Sequence, residues 1–533
     1  MSEKVYTVIS KRGTTIDQIQ DDLTRYTRLD NIPNRAVDIA HPRAGSKRQT
    51  YFSLTDAEAA MIRNDPRVEA VEIPAEYRDD IDIQLTAKQI GDFKKTSLSS
   101  GDYVNWGLVR HMSETYNFTN DGLGNVTANT DTFAYSFDGE GVDVIIQDSG
   151  LQVDHPEFQD ADGNTRFQSV NWYTASGISG TQSANHDRDL DGHGTHCGGI
   201  AAGKTFGWAK GARVYGQKVA GLEGSGDSGT GISVSDIFDT IRLWHANKSG
   251  ADAGRPTVVN MSWGYGYNLS PSSITTGVYR GTSWDFQNDY GGVSQTLQNA
   301  VGIIIPIFGS FNTTRMPVRI ASVDTDVQEM IDAGIHVCIA SGNSRFKIDV
   351  PGGADYDNTV LRSGVQEPYH RGSSPYSEDA MIVGNILDAT FGNLDTISTS
   401  SCNGPGVNIW AAGSNIMSCT SNTNKFSDAP YQKDSNFRQC NISGTSMASP
   451  QVAGVIACLL QKDPTLTPAQ IQTLLIEDSV KDIIYDTASD VDYGEPRSLK
   501  GSPNRMMFNR YNSVPFQISS NLRPRNGLTI RHG

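Results

Sequence analysis

The sequence predicts an α/β protein with a mostly parallel central sheet, preceded by a small α+β domain. Three observations predict it. Short apolar strands alternate with helical patterns from about Trp106 to Asn512. Residues 1–75 run strand, helix, strand, strand, helix, strand. A charged stretch without periodicity separates the two parts.

In the N-terminal part, Val5–Ser10, Arg35–Ala40, Gln49–Leu54 and Val68–Ile73 read as strands, and the amphipathic stretches Thr15–Tyr26 and Asp56–Asp65 as helices. That order predicts an open, ferredoxin-like sandwich over residues 1–75. Residues 76–103, with Glu76-Tyr-Arg-Asp-Asp-Ile-Asp82 and Lys94-Lys-Thr-Ser-Leu-Ser-Ser-Gly101, read as a linker. Further on, the clearest strands are Val142–Ile146, Arg213–Val219, Thr257–Met261 and Ile335–Ala340. Helical patterns cover Val323–Ala333 and Ser446–Gln461. Thr467-Pro-Ala-Gln470 is a helix start: a capping Thr, Pro at the first helical position and Gln three residues after the cap. Two connections, near 265–319 and 344–377, exceed what a compact fold needs and are expected to be surface insertions. Residues 513–533 form a polar tail.

With 533 residues and 37% hydrophobic content, core size is not limiting. The net charge of -16 and the lack of a Lys/Arg-rich block exclude the electrostatic footprint of a nucleic-acid binder. Met1–Lys11 lacks the apolar core of a secretory signal, and no window approaches the ~18 apolar residues needed to span a bilayer, so no membrane partner is expected. These features favour an intracellular or virus-associated location over a secreted one. Six cysteines are too scattered for a disulfide scaffold, and no C-x-x-C pair suggests zinc. Cys419 and Cys440 bracket a polar loop and could pair; two unpaired thiols are the equal alternative.

Three segments place a reactive side chain where a strand ends or a helix begins, the positions from which an open α/β sheet builds its site. Val144-Ile-Ile-Gln-Asp148-Ser-Gly150 ends an apolar strand on a carboxylate that can accept from an imidazole or simply cap a turn. Asp191-Gly-His193-Gly-Thr-His196-Cys-Gly-Gly199 surrounds His193 with small residues that allow close approach to the ring. His193 and His196 could also suggest zinc, but no carboxylate stands between them as in H-E-x-x-H, and His196 reads as a structural neighbour. Ser443-Gly-Thr-Ser446-Met-Ala-Ser-Pro450 would lift Ser446 onto the first turn of an apolar helix, where free N–H groups favour a developing oxyanion. An ordinary helix start, capped by Thr445 or Ser446, is the alternative there.

Together these segments resemble the subtilisin-like serine proteases, whose catalytic residues run Asp, His, Ser along the chain. The resemblance implies Ser446 as nucleophile, His193 as general base and acid, and Asp148 as the group that orients the imidazole. Ile339-Ala-Ser-Gly-Asn343 looks like the family segment whose Asn donates to the oxyanion, implying that role for Asn343 beside the N–H of Ser446. Gly224, Ser225 and Gly226, and Ser262, Trp263 and Gly264, resemble the two segments that hold an extended peptide as an added strand. Ser262–Gly264 and Ala340–Gly342 would wall the primary pocket.

The implied function is a serine endopeptidase with a subtilisin-like three-layer catalytic domain over 104–512, acting on polypeptides and requiring no cofactor. Trp106–Arg110, Cys197 and Ser502–Phe508 point to the proteinase K branch. Residues 1–75 resemble the inhibitory propeptide, which folds the enzyme, blocks its cleft and is cut off. The cut is expected in the later half of 76–103. Asp187, Asp189 and Asp191 supply carboxylates at alternate positions and are candidates for a structural calcium, although Gly198 stands where an EF-hand loop needs its final Glu. Asp191 also matches a position near the substrate, where it would favour basic side chains. The alternatives are a catalytically silent binding or structural protein that keeps the fold, and a metallohydrolase using His193, His196 and the acidic run.

Overall fold

The structure, a computed structural model, describes residues 3–84 and 105–510 apart from internal stretches, the longest being 129–134, 221–231, 293–299, 304–313 and 489–496. In the N-terminal domain, Ile39–His41, Gln49–Leu54, Lys4–Ser10 and Val68–Glu72 lie side by side, in that order, as an antiparallel sheet. Helices Ile16–Thr24 and Asp56–Ile62 complete it. Thr55 and Glu58 close a capping box at the second helix, which satisfies two of its otherwise orphaned N–H groups. Val8, Ile19, Leu23, Phe52, Leu54 and Ile62 form this domain's own core. The strand expected from Arg35 begins only at Ile39. The reason is local: Val37 N–H donates to Leu23 O, and the Arg35 side chain clasps Glu58 at 2.6 Å.

Residues 76–84 are less linker-like than their sequence suggests. Ala75 and Ile81 are buried in the larger core, and Asp82–Gln84 forms a strand antiparallel to Gly264–Leu269, with Gln84 opposite Gly264 and Asp82 opposite Gly266. Residues 85–104 and the tail 513–533 lie outside the described residues.

The central sheet places Arg213–Lys218, Asp143–Asp148, Thr257–Met261, His336–Ala340, Met381–Phe391, Ile409–Ala412 and Arg505–Met506 side by side and parallel. Val480–Lys481 and Leu394–Ile397 pair antiparallel to it. The central strands are buried, as expected of parallel strands covered on both faces. Helix Thr445–Lys462 packs on the central strands and on helix His193–Ala202, while Val234–Ala246 and Ala321–Asp332 pack together and receive the N-terminal domain. Asp148, Ser262 and Asn343 all sit at or just beyond the carboxyl ends of neighbouring parallel strands, where open α/β sheets form their crevice.

The two expected surface insertions fold together. Thr276–Tyr279 pairs with Thr282–Asp285 on one side and Thr359–Arg362 on the other, and Val365–Pro368 completes a four-stranded sheet drawn from both. Trp284 stacks on Phe286 at 4.4 Å between centroids, and Asp355 takes Arg280 and Lys347, each at 2.7 Å. Cys419 and Cys440 lie on paired strands but are not bonded; both are buried thiols. Cys440 faces Ser418, and Cys419 faces Gln439, so the register differs by one residue and sends the two thiols to opposite faces. No helix among the described residues is long and apolar enough to cross a membrane.

Candidate active site

Asp148 ends a strand whose six residues are all buried. Its Oδ1 accepts from the Ser149 N–H at 2.7 Å and lies 2.8 Å from His193 Nδ1. His193 opens helix His193–Ala202 behind Gly192, which adopts φ 89°. The strand end and the helix can approach only because residue 194 is glycine: a Cβ there would fall 2.2 Å from the carbonyl oxygen of Gly150.

Asp189 fastens the two together. It accepts from Ser149 Oγ (2.9 Å), Gly192 N (2.8 Å), Asp191 N (3.0 Å), Thr195 N (2.9 Å) and Thr195 Oγ1 (2.6 Å), and Ser149 Oγ in turn accepts from Gly194 N (2.9 Å). A carboxylate at a helix start also meets the positive end of the helix dipole. Burial pushes the Asp189 carboxyl up, against these hydrogen bonds.

Burial is the largest single influence and disfavours a charge on His193, but Asp148 and Cys197 together outweigh it and the imidazole is held well above its ordinary range. His193 Nε2 is buried without a hydrogen-bond partner among the described residues. Cys197 Sγ lies 3.9 Å from Nδ1 of the same ring and donates to Ser446 O at 3.3 Å. Ser446 is the second residue of helix Thr445–Lys462; its Oγ donates to Ser262 O at 3.2 Å, and its carbonyl accepts from Ser262 Oγ at 2.9 Å. Asn343 Oδ1 accepts from Thr445 N (2.9 Å) and Thr445 Oγ1 (3.1 Å), which fixes the amide beside the helix start. The structure thus gathers Asp148, His193, Ser446 and Asn343 at one end of the sheet.

One supporting residue escaped the sequence. Asn260 bonds Ser262 Oγ at 2.9 Å and accepts from Ser449 Oγ at 2.8 Å, linking the strand to the Ser446 helix. A fully buried amide in the apolar run Thr257–Met261 is the signal that could have found it.

Gly224, Ser225 and Gly226 lie outside the described residues. Ser262, Trp263 and Gly264 border the crevice, but the Trp263 side chain turns into the core, where its indole N–H reaches Gln147 at 3.2 Å. Within that segment Gly264 faces a strand partner, Gln84. Ser262–Gly264 and Ala340–Gly342 line one pocket, and the strand Thr314–Pro317 of the first insertion adds Met316 and Pro317 to its wall.

The acidic run does not converge. Asp187 receives Ser169 Oγ at 3.3 Å, Asp189 is committed to the helix start, and Asp191 pairs with Lys425 at 2.7 Å. Among the described residues these three carboxylates do not gather as a cluster, and Lys425 pairs with one oxygen of Asp191. His196 Nε2 meets the carbonyls of Ile416 (3.0 Å) and Cys440 (3.1 Å), and burial lowers its pKa to about 3, so it is a neutral structural ring.

A family model described as the subtilase family matches residues 139–502. Among curated proteins, subtilisin-like serine protease Cur l 4.0101 of Cochliobolus lunatus is 28% identical over 435 residues, covering 79% of this chain and 61% of that protein. The cuticle-degrading protease of Metarhizium anisopliae is 27% identical over 442 residues, covering 82% and 77%. A solved cold adapted subtilisin-like serine proteinase is 23% identical, covers 76% of this chain and 97% of that one, and gives a TM-score of 0.44. The chain spans about three fifths of the first of these relatives. None of these names supports the intracellular or virus-associated location expected from the N-terminus. Because the family match covers most of the chain, including all four gathered residues, this protein belongs to the subtilase family.

Proposed function

We propose that the protein is a serine endopeptidase, made as a self-inhibited precursor, that hydrolyses polypeptides through an acyl-enzyme on Ser446. The observation that carries this reading is the buried Asp148–His193 pair, whose Nε2 lacks a partner among the described residues, packed through Cys197 against the Ser446 helix start. Ser446 Oγ attacks the peptide carbonyl carbon and passes its proton to His193 Nε2; His193 returns that proton to the leaving amine. Water repeats the sequence to release the acid. Asp148 holds the ring and balances its charge. The Asn343 amide and the Ser446 N–H stabilise the oxyanion.

A fluorophosphonate probe tests this directly. Labelling is expected on Ser446 and should vanish in Ser446→Ala. Processed protein that takes no label would instead favour the silent binding protein.

The pH dependence follows from His193. As pH falls, Nε2 gains a proton and can no longer accept one, so acylation declines. Because Asp148 raises this pKa, the acid limb of kcat/KM should have its midpoint above the ~6.5 of an ordinary imidazole. A midpoint below that value would contradict the assignment.

The pairing of Asp82–Gln84 supports residues 1–75 as an inhibitor whose tail enters the cleft. Gln84 lies opposite Gly264, and Ser446 Oγ reaches Ser262 O. A peptide bound in that antiparallel register presents to Ser446 the residue two positions after the one opposite Gly264. In this sequence that residue is Thr86, and the expected new N-terminus is Ala87, earlier than composition suggested. Edman sequencing of incubated protein checks this; a start in the later half of 76–103 would refute the register.

A further inference from the structure

The N-terminal domain meets the catalytic domain through a buried arginine. Arg43, between strands Ile39–His41 and Gln49–Leu54, has a side chain only 1% exposed. Its Nε reaches Asp239 of helix Val234–Ala246 at 3.1 Å, and its Nη2 reaches Asp326 of helix Ala321–Asp332 at 3.0 Å. Gln49 Nε2 donates to the same Asp326 oxygen at 2.6 Å, and Lys47 N–H donates to Glu329 at 3.1 Å. The chain lies directly on the helix here: a Cβ on Gly45 would fall 2.6 Å from Cγ of Asp239. Within the catalytic domain, Arg242 pairs with Asp239 at 2.7 Å and also with Glu329.

We infer that Asp239, Asp326 and Glu329 form a guanidinium-binding recess by which the catalytic domain recognises its own inhibitory domain through Arg43. The recess holds three carboxylates against one resident cation, Arg242, so its excess negative charge favours insertion of a second cation. The planar fork of arginine bridges carboxylates on two helices at once, which the point charge of lysine matches poorly. Burial pushes the Asp326 carboxyl up and Arg43 opposes that shift, so the inserted guanidinium favours the charged carboxylate. None of the three carboxylates of the recess lines the pocket beside Ser446. The recess sets how firmly the inhibitor is held, and it rests on reading residues 1–75 as that inhibitor.

The test uses the full chain carrying Ser446→Ala, so that no proteolysis is needed. The amides of Ala321 and Ser322 donate to Glu72 of the N-terminal domain at 3.2 and 2.7 Å and report docking. Arg43→Met should speed their hydrogen exchange by about thirtyfold or more, as expected on removing one partner of a buried charge pair. Arg43→Lys should give a smaller acceleration and serves if the Met variant fails to fold. Exchange at wild-type rate in both variants would overturn the proposal. In the Ser446-containing chain, a complete lack of hydrolysis would defeat the protease reading while leaving the exchange result intact.

Discussion

Replacing Ser446 with alanine is expected to lower turnover of a polypeptide substrate by roughly a millionfold, the scale of loss when the nucleophile is removed from subtilisin. The chain should also stay uncut between residues 76 and 103. The substitution removes the hydroxyl and keeps the backbone. Ser446 Oγ makes a 3.2 Å bond to Ser262 O, while the contacts that hold the helix start run through the Ser446 carbonyl, which alanine keeps. Loss of one such hydrogen bond costs about 1 kcal/mol. Initial rates and a denaturation midpoint, measured on the same sample, separate chemistry from stability. A variant that folds normally and still cleaves would remove Ser446 from the mechanism.

Asp395→Ala should have the largest effect on stability, a loss of about 3–5 kcal/mol. Asp395 and Arg110 have fully buried side chains and meet through two N–H···O contacts, the Nε one at 3.0 Å. Removing the carboxylate takes away the buried guanidinium's ionic partner, while the neutral carbonyls of Ser113 (2.9 Å) and Thr115 (3.4 Å) stay in place. Arg110 closes helix Trp106–Arg110, whose Trp106 indole donates to Ser414 O at 2.8 Å, so the beginning of the catalytic domain is anchored by this pair. Replacing both partners with apolar residues, Arg110→Met with Asp395→Leu, should recover much of the loss, since no unpaired charge then remains. Urea denaturation of the three variants measures this. Equal stability of Asp395→Ala and the unaltered protein would show that the pair carries no such load.

Both effects depend on residues whose types the sequence displayed, but to different degrees. The Ser446 motif is local: a tight turn, a hydroxyl and an apolar helix in a dozen consecutive residues. Asp148, His193 and Asn343 were recognisable only through their order and company, and the structure brings them beside Ser446 because neighbouring parallel strands end at one crevice. Nothing near Arg110 or Asp395 in the chain announces that they meet.

The sequence by itself determined the βαββαβ start, the parallel α/β sheet, the capped helices and the four residues gathered at the crevice. Apolar runs, helical periodicity and caps are short-range signals, and the physics that produces them acts within one element. Only the tertiary structure decided what depends on pairing between distant segments. It joined the two insertions into one sheet, set Asp82–Gln84 beside Gly264, turned Cys419 and Cys440 to opposite faces through a one-residue register offset, and set Asp189 at a helix start. It also sank Arg43 between two helices far along the chain. Strand register and buried charge pairing are settled by which surfaces meet, and composition and local spacing do not contain that information.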